Sequence, residues 1–218
     1  MNIALVYRGF YKRNNNKWSN GGNCFNKYIL NNNLRAIKSL NYKSIHIYFD
    51  TYEVDKESDL EMLNLFKDTE LIKFRFNKFT DQKIHDSILN SIKMIDNKYD
   101  VIINTRFDIL FTESLSKFNI DVNKLNFFCK DEEDFWKRGK KTSDLLFIFP
   151  QKYSNIFIKL IEDQKFSFNS SRCHLLLYQN MIENNKYLSE NDINFMIEGY
   201  FSSNTDIQRN KYLFIKRN

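Results

Sequence analysis

Apolar runs and helical stripes alternate along the first half of the chain. Ile3 to Tyr7 (IALVY) is a short apolar run that stops at Arg8-Gly9, the pattern of a buried strand entering a turn. Phe25 to Leu40 carries Phe25, Ile29, Leu30, Leu34, Ile37 and Leu40 at helical spacing. Ser44 to Phe49 alternates as a strand does and then meets Asp50-Thr51-Tyr52. Glu57 to Lys67 sets Leu60, Leu63 and Phe66 on a helical stripe, and Leu71 to Phe76 reads as a strand. Asp81 to Asp96 places Ile84, Ile88, Ile92 and Ile95 on one helical face, and Tyr99 to Asn104 is a strand leading into Thr105-Arg106-Phe107-Asp108.

This succession is βαβαβαβ, which predicts a largely parallel sheet with helices on both faces. In such a sheet a ligand crevice lies at the carboxyl ends of the strands. Three of the predicted strands end there in polar residues: Arg8-Gly9, Asp50-Thr51-Tyr52 and Arg106-Phe107-Asp108.

The second half is less regular. Lys124 to Cys129 and Leu145 to Phe149 read as strands, separated by the polar stretch DEEDFWKRGKKTSD. Ser154 to Asp163 and Arg172 to Glu183 read as helices, and a last short strand spans Tyr212 to Ile215. Lys12 to Asn26, rich in asparagine and holding Gly21-Gly22, reads as a mobile loop suited to a lid over the first strand's end.

Composition narrows the picture. A chain of 218 residues without repeats or linkers fits one domain with a real core. Three scattered cysteines exclude a disulfide scaffold. No apolar run reaches the roughly 18 residues of a membrane span, and the N-terminus lacks a signal-peptide pattern, so a cytoplasmic protein is expected. The net charge is +6, with basic residues dispersed. That suits an anionic small molecule and leaves peripheral association with an anionic membrane open. No zinc-finger spacing or RNA-binding aromatic signature supports a nucleic-acid partner. Walker A, G-x-G-x-x-G, H-E-x-x-H and G-x-S-x-G are also missing, which counts against P-loop, dinucleotide, zincin and α/β-hydrolase enzymes.

Tyr99 to Phe111 (YDVIINTRFDILF) carries the strongest local signal. Arg106 and Asp108 stand two apart in an apolar frame, so period 2 puts both on one face. Buried charges need partners or a ligand. The pair is either a structural ion pair or a site in which the carboxylate holds a divalent cation and the arginine meets phosphate. Arg8-Gly9 suits phosphate as well as a plain turn, and Asp50 suits a ligand as well as a cap. Asp144 precedes an apolar strand. His174 could join a carboxylate at a metal or simply cap its helix, and the Asp131-Glu132-Glu133-Asp134 run reads as a solvated loop.

Taken in order, IALVYRGF, IHIYFDTYE, YDVIINTRFDILF, SDLLFIFPQKYSNIF and YFSSNTDIQRNKYLFIKR resemble small GT-A-type glycosyltransferases of the kind found in bacterial surface-polysaccharide clusters and large DNA viruses. The resemblance implies a single Rossmann-like α/β domain over 1–218, with a mostly parallel twisted sheet flanked by helices. Residues 1–111 would bind nucleotide, and an irregular 112–218 would face the acceptor. It implies a nucleotide-diphosphate-sugar donor, a glycan or glycoconjugate acceptor and a divalent cation, Mn2+ or Mg2+.

Arg8, Gly9, Asp50, Thr51, Tyr52 and Arg106 would bind the donor. Asp144, Asp108 and Arg106 would be catalytic, and Asp108 with His174 would hold the metal. The chain departs from the family in carrying Arg106-Phe107-Asp108 where Asp-x-Asp is usual, which puts the metal in question. A nucleotidyltransferase and a catalytically silent nucleotide- or glycan-binding domain remain the other readings.

Overall fold

The computed structural model describes residues 1–13, 22–78, 84–130, 137, 142–167, 188–198 and 213–215. The first part contains β1 (Asn2–Arg8), β2 (Lys12–Arg13), β3 (Gly22–Asn23), α1 (Lys27–Lys38), β4 (Ser44–Tyr52), α2 (Lys56–Leu65), β5 (Leu71–Asn77), α3 (Ile84–Lys93) and β6 (Val101–Arg106). The rest contains β7 (Ile109–Phe111), β8 (Leu125–Phe127), β9 (Leu146–Pro150), α4 (Ser154–Ser167), β10 (Ile193–Phe195) and β11 (Leu213–Ile215). The helices begin where side chains can replace missing backbone partners. Asn26 accepts from the Ile29 N–H at 3.0 Å to start α1, and Asp55 accepts from the Ser58 N–H at 2.8 Å to start α2.

Seven strands form one sheet in the order β10-β8-β9-β6-β1-β4-β5. β1 pairs in parallel with both β4 and β6, and β4 pairs in parallel with β5. β9 runs antiparallel to β6 and β8, and β10 lies parallel to β8. The α/β class expected from the alternation is therefore the observed one, with an antiparallel strand inserted beyond the parallel set.

The strands expected at Lys124 to Cys129 and Leu145 to Phe149 correspond to β8 and β9, which with β10 extend the main sheet. One expectation changes. The stretch expected to be a loop begins and ends in a pair of two-residue strands, with Lys12 opposite Asn23 and Arg13 opposite Gly22. Residues 14–21, the helix expected at Arg172 to Glu183, His174 and the 131–134 acids lie outside the described residues. Of the expected final strand, Leu213–Ile215 pairs with β7.

Successive strand residues face opposite sides, and each side has its own core. One side packs Leu5, Tyr7, Phe49 and Ile103 against Ile29, Leu30 and Ile37 of α1 and Met62 of α2. The other packs Ala4, Val6, Tyr48 and Ile102 against Ile88 and Ile92 of α3 and Phe157, Leu160 and Ile161 of α4. Among the described residues no helix is long and apolar enough to cross a membrane.

Candidate active site at the strand ends

The chain leaves β1 toward β4 and β5 on one side, then returns to place β6 on β1's other side. The carboxyl ends of β1 and β6 therefore flank a topological switch point, where the diverging connections leave a crevice. The parallel register sets Arg8 level with both Asp50 and Arg106, and Asp50 level with Arg75. Four charged residues thus form one row across four strands, following Val6, Tyr48 and Ile102 on the α3/α4 face.

Arg106 forks onto Asp108, with Nε donating to Oδ1 at 2.8 Å and Nη2 to Oδ2 at 2.5 Å. Its Nη1 reaches Asp144 Oδ2 at 3.5 Å. The guanidinium therefore bridges the two carboxylates. Arg8 donates from Nε to Asn104 Oδ1 at 2.7 Å and from Nη2 to the backbone carbonyl of Asp144. Its Nη1 lies 3.9 Å from Asp144 Oδ2. Both arginines reach Asp144 through the same carboxylate oxygen. Asn104 donates in turn to Ser91 Oγ at 2.8 Å, which anchors the cluster to α3.

Exposure separates the two arginines. The Arg8 side chain is 1 % exposed and that of Arg106 16 %, beside 3 % for Asp108 and 5 % for Asp144. A strand-end arginine open to phosphate fits Arg106; Arg8 instead lies inside, holding Asp144. Burial pulls the Arg8 guanidinium down to about 10, opposed by Asp144 and reinforced by Arg106, so it stays charged at neutral pH.

The residues expected to bind the donor form a second group. Gly9 takes φ +87°, a conformation costly for other residues, and turns the chain beyond β1. Its N–H donates to the Asp50 carbonyl at 3.2 Å, and Thr51 Oγ1 donates to the Gly9 carbonyl at 2.8 Å. The next residue, Phe10, is 38 % exposed and lays its ring 4.6 Å from that of buried Tyr52. Asp50 turns inward and accepts from Arg75 Nε at 2.6 Å and Asn77 Nδ2 at 3.0 Å.

Asn104, Phe10, Arg75 and Asn77 did not stand out in the sequence. A polar residue inside VIINTR and the K-F-R-F-N alternation of β5 are the signals that could have found three of them, Asn104, Arg75 and Asn77.

The described residues by themselves do not suit the divalent cation implied by the resemblance; His174, its other expected ligand, lies outside them. Both Asp108 oxygens accept from Arg106, and Asp144 faces two guanidinium groups. Among the described residues, a cation here would find both Asp108 oxygens taken by Arg106, one Asp144 oxygen facing two guanidinium groups, and two positive neighbours. Among the described residues no group of three or more His, Cys, Asp or Glu side chains could hold a metal ion. A cavity of about 410 Å³ opens elsewhere, between α2 and β5, floored by Leu60, Leu63, Phe74 and Phe76. It contains none of the paired arginines, so the strand-end row is the better candidate for chemistry.

No protein-family model matches the chain, and no curated protein matches it. Solved structures do share the fold. 4-Diphosphocytidyl-2C-methyl-D-erythritol synthase from Anaerococcus prevotii aligns with a TM-score of 0.54 at 10% identity, over 94% of this chain and 90% of that one. The glycosyltransferase GlyE from Streptococcus pneumoniae gives a TM-score of 0.45 at 14% identity, over 86% of this chain. The chain spans 44% of the length of GlyE. A mannosyltransferase from Pyrobaculum calidifontis, solved with GDP-Man and Mn2+, gives 0.43 at 12% identity, over 72% of this chain and 46% of that one. At these identities the likeness is one of fold alone.

Proposed function

We propose that the chain is a glycosyltransferase that takes a sugar from a nucleotide-diphosphate donor and passes it to a glycan or glycoconjugate acceptor. The observation that carries this reading is the arginine pair standing level at the switch point, beside an exposed ring. Residues 1–111 supply the donor side and 112–218 the acceptor side.

Phe10 and Tyr52 pack together on the donor side, and the hydrogen bonds of Gly9 with Asp50 and Thr51 hold that turn. Arg106 meets the diphosphate, and Asp108 orients Arg106. Arg8 and Asn104 hold Asp144 in place. Asp144 Oδ1, the oxygen that neither arginine engages, accepts the acceptor's hydroxyl proton.

The second reading is nucleotidyl transfer, favoured by the TM-score of 0.54 to the Anaerococcus synthase. Cradling a triphosphate on backbone N–H groups calls for small residues after the first strand. Here Gly9 is followed by two bulky residues, Phe10 and Tyr11.

A thermal-shift panel of nucleoside diphosphates, nucleotide-sugars and nucleoside triphosphates tests the choice, because a ligand of the native state raises the midpoint. Nucleotide-sugars should raise it beyond the parent diphosphates, with slow release of free sugar. A preference for triphosphates with pyrophosphate release would move the assignment to nucleotidyl transfer. Binding without turnover would leave a silent binding domain.

A further inference from the structure

We infer that Arg106 is a built-in cation for the donor's diphosphate, so that this site works without a divalent metal. The inference rests on the donor reading above and adds to it the charge that serves the leaving group. Arg106 lies between Asp108 and Asp144, the place a cation shared by two carboxylates would take. It is the more open of the two arginines. Its planar fork, seated on Asp108, is fixed before any ligand arrives, and a guanidinium matches phosphate oxygens geometrically.

Charge balance points the same way. Among the described residues Arg8 and Arg106 offset Asp108 and Asp144, leaving these four neutral together. A diphosphate added to a neutral, arginine-faced cluster meets a fixed positive group, whereas a divalent ion added there meets two guanidinium charges with both carboxylates already shared. The replacement of the first acid by Arg106 thus supplies the positive charge on the protein itself.

In the transfer, the bond between the sugar's anomeric carbon and the β-phosphate oxygen breaks, and its electron pair stays on that oxygen. The acceptor oxygen forms the new bond to the anomeric carbon and releases its proton to Asp144. The negative charge growing on the diphosphate is the charge Arg106 offsets, a stabilisation most effective when the donor is already oriented.

The test uses the whole chain with UDP, GDP, CDP and dTDP as probes, each in EDTA and in MnCl2. One of them should raise the melting midpoint equally in both buffers. A shift that appears only with MnCl2 overturns the metal-free inference and leaves the donor reading standing. No shift with any probe in either buffer overturns the donor reading and this inference with it.

Variants sharpen the result. Arg106→Ala should weaken nucleotide affinity in EDTA roughly tenfold to a hundredfold, the scale of a lost charge-assisted hydrogen bond. Arg106→Lys keeps the charge and the packed stem, and should retain the fold while losing less affinity. Wild-type affinity in Arg106→Ala, or, should that variant not fold, Mn2+-dependent binding in Arg106→Lys, overturns the assignment.

Discussion

The side of the sheet covered by α1 and α2 keeps aromatic rings to the strand ends, whereas the side covered by α3 and α4 turns charged in its last row. On the first side Tyr7, Phe25, Phe49, Phe66 and Phe107 form one aromatic cluster. Tyr7 stacks on Phe107 at 5.3 Å, and Phe49 stacks on Phe66 at 5.3 Å. On the second, Val6 gives way to Arg8, Tyr48 to Asp50 and Ile102 to Asn104 and Arg106. The same strands supply both sides, so the difference is one of alternate positions. Along β1 and β6 charge enters at the carboxyl edge, next to the switch point, and every arginine of the row has a carboxylate partner. The aromatic side serves stability, and the charged edge accepts a desolvation cost that pairing offsets.

The sharpest way to break this contrast is Arg8→Ala. It removes one of the two guanidinium groups that face Asp144 Oδ2 and the donor to the Asp144 carbonyl. Urea unfolding should show a loss of about 3–5 kcal/mol, the scale for stranding one member of a buried pair. Nucleotide-sugar turnover should fall as well, because Asp144 loses its support. A stability change within about 0.5 kcal/mol, the range of surface substitutions, would return Arg8 to the phosphate-facing or plain-turn role read from the sequence.

Phe49→Ala tests the other side. Phe49 is fully buried against Phe66, Phe74, Phe76 and Phe107. Its truncation should also cost about 3–5 kcal/mol, yet nucleotide affinity per folded molecule should stay at the wild-type level. Calorimetry on the folded fraction checks this. A matching fall in affinity would show that the two sides do not divide stability from chemistry.

Period and spacing made the parallel half legible. IALVY, SIHIYF and LIKFRF each lie within the strand they suggest, and the Ile84-Ile88-Ile92 stripe lies on α3. Arg106 and Asp108 were legible as a same-face pair for the same reason. The antiparallel direction of β9 was not, since orientation depends on pairing with β6 and β8, far away in sequence. β10 is three residues long, too short for a periodic signal, and finds its place only against β8. The interior position of Arg8 was hidden as well. It follows from Asn104 and Asp144, which reach it from 96 and 136 residues away.

A smaller effect tests how the charged edge is anchored. Asn104→Ala removes the acceptor for Arg8 Nε and the donor to Ser91 Oγ. The expected cost is about 1–3 kcal/mol, the penalty for a buried donor left without a partner. Restoring the amide in a reversion control should recover it. A neutral outcome in chemical denaturation would mean that Arg8 is held by Asp144 alone.

The mildest change concerns Asp50, the one carboxylate of the row whose arginine is open to solvent. Its side chain is 3 % exposed and that of Arg75 is 42 % exposed. Burial raises the Asp50 pKa above 3.8, and hydrogen bonds from Asn77 and Arg75 only partly oppose this. The folded state therefore binds the Asp50 proton more tightly than the unfolded chain does. Between 3.8 and the raised value the unfolded state holds fewer protons, so this group's contribution to stability falls as pH rises. Asp50→Asn cannot titrate. The stability of the wild type relative to Asp50→Asn should thus be greatest at acidic pH and decline toward neutrality, read by urea unfolding from about pH 4 to pH 7. The opposite slope would mean that Arg75 and Asn77 outweigh burial. Asp50 would then belong with Asp108, as a carboxylate whose charge is stabilised by its arginine.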